Sequence, residues 1–102
     1  MRTIAQIVKD IKGELRGAKH YAELANKYKD EDDSLSEMYA GISNQELGHV
    51  NTMHAQVVRI SNDYRRKHGE PPEAMKAIWD WEHQQMVEEV AEVKRLLEIV
   101  RG

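Results

Sequence analysis

Glu46-Leu47-Gly48-His49 sets a carboxylate and an imidazole three residues apart, and on a helix that spacing puts both side chains on one face. Counting about 100° per residue from Leu35, the apolar residues Met38, Tyr39, Ile42, Met53, Val57 and Ile60 form one stripe, and Glu46 and His49 fall inside it. A carboxylate buried without a partner costs several kcal/mol, comparable to the whole stability margin of a small domain. The position therefore asks for a compensating group, and a metal ion is the leading candidate. Glu14 supplies a third donor: if the first two helices turn near residues 30 to 33, positions at equal height sum to about 60 to 66, and Glu14 lies level with 46 to 49. Two carboxylates and an imidazole suit iron, manganese or zinc, and the oxygen-rich balance favours iron or manganese.

Three helices are needed to hold these residues. Thr3 and Gln6 read as a capping box ahead of Ile4, Ile7, Val8, Ile11, Leu15, Ala18, Ala22 and Ala25 at helical spacing, so helix one runs to about Lys29. The run Asp30-Glu31-Asp32-Asp33 reads as a turn whose charge favours the start of the next helix, with Ser34 and Glu37 as a second capping box. Helix two continues to about Lys67, where Gly69 ends it and Pro71-Pro72 open helix three, over roughly 72 to 100. Short connections imply antiparallel neighbours running up, down and up, in one domain over residues 1–102. Gly13, Gly17, Gly41 and Gly48 interrupt the helices at a cost of about 1 kcal/mol each, which suggests tight helix contacts or room for a metal.

Composition narrows the function classes. With 40% hydrophobic and 32% charged residues and only two prolines, the chain has the make-up of long helices. A net charge of -3, with Lys and Arg scattered, offers no face for nucleic acid. The absence of cysteine excludes a disulfide framework, a thiolate metal site and a Cys nucleophile, and no apolar run reaches membrane length. A reducing, cytoplasmic location is expected. A Glu-x-x-His pair alone is weak evidence among 18 acidic residues and 5 histidines; the height agreement with Glu14 gives it weight.

Glu14, with Tyr21 seven residues on, and then Glu46-Leu-Gly-His49, resemble the first helix hairpin of the ferritin-like superfamily, in particular rubrerythrin-type chains and the short encapsulated ferritins. The resemblance covers roughly residues 3–67. It implies a di-iron centre with Glu14, Glu46 and His49 as ligands, a role for Tyr21 beside it in tuning or trapping an oxidising equivalent, and ferroxidase-type oxidation of Fe(II) by O₂ or peroxide. Longer members carry a second Glu and a second Glu-x-x-His, whereas here only one further helix follows. Two copies of the chain would supply four carboxylates and two imidazoles, so a four-helix bundle completed by dimerisation, with the metals on its axis, is expected. The tail Leu96-Leu-Glu-Ile-Val-Arg-Gly102 has no linker followed by a docking peptide, which argues against residence in a nanocompartment.

Helix three brings a fourth candidate ligand, Glu82, in the middle of a stripe formed by Met75, Ile78, Trp79, Met86, Val90, Val93 and Leu97. With a turn near residue 69 it lies opposite about residue 56, roughly 10 Å from the Glu46–His49 level. A second-site role, or pairing with a neighbouring Lys, Arg or Tyr, is therefore the stronger expectation for it. His20, His54, His68 and His83 read as surface or flanking residues. The competing reading of the whole chain is a metal-free helical oligomer, a structural or adaptor module in which Glu46 and His49 satisfy each other as a hydrogen-bonded pair.

Overall fold

In a computed structural model, residues 2–102 are described. They form α1 (Arg2–Tyr28), α2 (Asp33–His68) and α3 (Glu73–Arg101), with no strand among the described residues. The all-α expectation and all three helix spans hold to within one or two residues. No helix of the described residues is long and apolar enough to cross a membrane.

Both expected capping boxes are replaced by other arrangements. Thr3 lies inside α1, and Gln6 Nε2 turns outward to donate to Asp10 Oδ1 at 3.0 Å. The cap of α2 is Asp32, whose Oδ1 accepts from the Leu35 amide at 3.0 Å, because its extended backbone (φ -154°, ψ 94°) points the carboxylate at the free amides of the first turn. At the other end Gly69 takes φ 75°, a conformation that a side chain would strain, and its amide donates to the Arg65 carbonyl at 2.8 Å.

α1 and α2 pack antiparallel through small residues. Ala18, Ala22 and Ala25 are fully buried, and facing them Ser36 and Ser43 donate their hydroxyls to the Ala25 and Ala18 carbonyls, each at 2.7 Å. Both pairs obey the height rule of about 60 to 66, which brings Glu14 level with His49. Ile11, Leu15, Leu47, Val50 and Val93 complete the core.

This interface is not the stripe read from the sequence. The buried face of α2 is Ser36, Ser43, Leu47, Val50 and Ser61, and the apolar stripe lies beside it. Leu35, Ile42, Met53 and Ile60 are only half-buried, and Met38 is 47% exposed. The physical reason is that alanines on α1 admit close approach only opposite side chains of similar size, and a buried serine is acceptable there because its hydroxyl reaches an α1 carbonyl.

α3 docks on the opposite flank of α1, running parallel to it. Lys12 Nζ donates to Glu82 Oε1 (3.1 Å), Asn26 Nδ2 to the Leu96 carbonyl (2.9 Å) and Lys29 Nζ to the Ile99 carbonyl (2.7 Å), and each pair is 70 residues apart. Between α3 and α2 contact is sparse, made where the His54 ring stacks on His83 (centroids 5.3 Å) and Tyr64 meets Trp79 edge-on (6.2 Å). Burial, and secondarily the neighbouring His83, hold the His54 imidazole below its usual pKa.

If close α1–α2 approach sets the fold, Ala18→Leu should lower unfolding free energy by about 1 to 3 kcal/mol through overpacking. Gly41→Ala, where an added Cβ meets nothing within 4 Å, should raise it by about 1 kcal/mol. Urea unfolding of the two variants measures both.

Candidate metal centre

The hairpin brings Glu14, Glu46 and His49 together as the height rule requires. One donor atom from each lies within 4.8 Å of the other two, and His49 Nδ1 is 3.3 Å from Glu14 Oε2. Glu46 leans across bare backbone: a Cβ on Gly17 would sit 3.4 Å from its Oε2, in ordinary contact. Close approach thus occurs at Gly17, while Gly41 and Gly48 have open space and are not explained by packing within the chain.

The cluster lies at the rim of the hairpin rather than in its core. The His49 side chain is 57% exposed and that of Glu14 24%, so the expectation of a deeply buried charge is corrected. Its cause is the rotation of the α2 interface toward serine, which leaves the stripe containing Glu46 and His49 on the open flank. What demands compensation here is mutual proximity of like charges. The two carboxyls perturb each other: the hydrogen bond to Glu14, then burial and the Glu14 charge, hold the Glu46 carboxyl above its usual range. The same bond, aided by His49, holds Glu14 below its own range against the opposing effect of burial.

Chemically the donor set fits a hard or borderline divalent cation. Two carboxylates held close together are relieved of their mutual repulsion by a cation, and imidazole adds a neutral donor. An open cleft of about 400 Å³ borders Glu14, lined also by Lys9, Asp10, Gly13, Arg16 and Met53.

Glu82 is not brought to this cluster. The 70-residue offset places it level with Lys12, only two residues from Glu14 along α1, so the height argument against it was wrong. Face is what separates them, because two residues on a helix turn through about 200° and send Lys12 and Glu14 to opposite flanks. Glu82 pairs there with Lys12, whose ammonium lies 3.0 Å from Oε2 but off the hydrogen-bonding direction, leaving that buried oxygen without a hydrogen bond. Lys12 and Glu82 line a larger groove of about 1010 Å³ with Trp79, Trp81 and Ile78, on the flank away from the cluster.

Tyr21 lies one turn beyond Gly17 on the flank of the cluster. Its ring stacks on Tyr39 of α2 (centroids 5.9 Å, planes 18° apart), and Tyr39 stacks in turn on Tyr28 of α1 (6.0 Å, 22°). Apolar periodicity does not mark this stack, although the height rule applied to Tyr39 places it between the other two.

Glu14→Gln removes the charge that pushes Glu46 up, so the Glu46 carboxyl should titrate lower than in the wild type, moving down toward 4.5. Carbon-13 NMR titration of the side-chain carboxyls reads this directly, and an unmoved Glu46 midpoint would contradict the coupling.

Compared with protein-family models, with curated proteins and with solved structures, the chain matches none.

Proposed function

We propose that this chain is a ferritin-like metal-binding protein in which two copies share one di-iron-type centre, each contributing Glu14, Glu46 and His49. The observation that carries the reading is the convergence of these three donors within 4.8 Å at the rim of an uncovered apolar flank. Three donors are few for two metals, whereas two sets give the four carboxylates and two imidazoles of carboxylate-bridged bundles.

Surface area supports a second copy. The chain exposes 6860 Å², against roughly 5900 Å² for a compact monomer of its mass, and the excess is of the order that one partner gives to a standard interface, roughly 800 Å². Along α2 the same flank carries Met38, Ile42 and Ile60 on either side of the cluster's level, so a two-fold axis there would bury apolar surface and complete the donor set together.

In this reading the bound metals supply one-electron redox chemistry for oxidising Fe(II) with O₂ or peroxide. The protein's part is to hold the donors and manage charge. Beside a cation Glu46 would favour its ionised form against the upward pull of Glu14, so that both carboxylates would act as anionic donors while His49 offers a ring nitrogen. Tyr21, one turn beyond Gly17 on α1, is the tyrosine of that helix nearest in sequence to Glu14. One observation favours a second reading, a metal-free helical oligomer: His49 already meets Glu14 at 3.3 Å, so the three groups can satisfy one another.

Metal analysis and sedimentation after reconstitution with Fe(II) separate the two. The expected result is about one metal per chain and a dimer. Glu46→Ala and His49→Ala should each weaken metal binding by more than the roughly 10–100-fold typical of losing an outer partner, and Lys27→Ala should leave it unchanged. A monomer binding two metals per chain rules out the shared centre, and a dimer binding none establishes the metal-free reading.

A further inference from the structure

Three of the four tyrosines stand in one file. Tyr21, Tyr39 and Tyr28 alternate between α1 and α2, with centroid separations of 5.9 and 6.0 Å and planes within 22° of parallel, an offset-stacked arrangement. All three rings are half-buried on the flank that carries Glu14, Glu46 and His49. On α1 the residues Glu14, Tyr21 and Tyr28 recur every seven, so along the helix the file starts about 10 Å from Glu14 and ends about 21 Å from it, beside the hairpin turn. Stacked side chains of mere packing value need no hydroxyl. Here each ring carries one, and with it the ability to lose an electron and a proton.

We infer that the stacked tyrosines Tyr21, Tyr39 and Tyr28 form a relay that carries oxidising equivalents from the level of Glu14, Glu46 and His49 to the hairpin tip. It rests on the proposed metal centre for its physiological oxidant, which is the metal oxidised by O₂ or peroxide. Tyr21 gives one electron to that oxidant and its phenolic proton to water. Tyr39 then passes an electron to the Tyr21 radical, which regains a proton from water while Tyr39 loses its own, and Tyr28 repeats the exchange with Tyr39. The net change is one electron moved from Tyr28 to the oxidant and one proton released at Tyr28. A one-electron reductant at the tip, such as a further aqueous Fe(II) ion oxidised to Fe(III), restores Tyr28 and its proton comes back from water.

The absence of native cysteine allows a test that needs no metal. A ruthenium(II) polypyridyl photo-oxidant attached to Glu14→Cys is flashed with a cobalt(III) electron acceptor and a nitroso spin trap, and peptide mass spectrometry locates the adducts. With the file intact the adduct is expected on Tyr28. Adding Tyr39→Phe, which keeps the ring but not the hydroxyl, should abolish it there and move it to Tyr21. If Glu14→Cys does not fold by circular dichroism, Gln45→Cys on the exposed side of Glu46 serves as the anchor. A Tyr28 adduct that survives Tyr39→Phe, an adduct confined to Tyr21 in the intact file, or equal labelling of the off-file Tyr64 overturns the relay. In parallel, iron content and the radical signal in electron paramagnetic resonance are read on wild type and Tyr39→Phe after exposure to O₂. Failure to bind iron overturns the proposed centre alone, since the ruthenium experiment decides the relay without it.

Discussion

The close contact of α1 with α2 is the constraint on which the rest of the structure depends. Alanines at 18, 22 and 25 leave no side chain to hold the helices apart, and the Ser36 and Ser43 hydroxyls lock onto α1 carbonyls at two points seven residues apart. Two such pins fix both the register and the rotation of α2. Register brings Glu14 level with Glu46 and His49; rotation sets them on the rim. Hydrogen bonds of this kind contribute only about 1 kcal/mol each, yet sliding either helix would leave buried hydroxyls unpaired, and that asymmetry gives the register its definition.

From the same rotation comes the division of the molecule into two flanks. One flank of α1 receives α3 through Lys12, Asn26 and Lys29, and the other carries carboxylates, imidazole and stacked phenols amid half-buried aliphatic residues. The electrostatics of the second flank are poised: Glu14 pushes the Glu46 carboxyl above its usual range, and Glu46 and His49 hold Glu14 below its own. A cation arriving there meets donors already converged, so little of its binding free energy is spent on gathering them.

Much of this was legible in the sequence. Helix spans followed from apolar spacing and from Gly69 and the adjacent prolines, and the three-donor level followed from the hairpin's geometry alone. The rotation of α2 was hidden because apolar periodicity picks out Leu35, Ile42 and Ile60, whereas the contact runs through Ser36, Ser43 and Ser61, residues that count as polar in any pattern. Glu82 was misjudged in height for a related reason. A simple hairpin count from Gly69 assumes that α3 lies along α2, but α3 follows α1, and its level is set by the Lys12 pair. Pairings between distant elements, such as His54 with His83, have no local signature.

That α3 touches α1 at pairs separated by 70 residues, while all three candidate ligands come from the hairpin, bears on partial unfolding. The hairpin closes through a turn of four residues, whereas docking α3 closes a far longer loop for sparse contact with α2. An opening in which α3 detaches as a unit exposes Val93 but leaves Glu14, Glu46 and His49 converged. The donor cluster therefore belongs to the most local cooperative unit of the chain, and its integrity is decoupled from the attachment of the C-terminal helix.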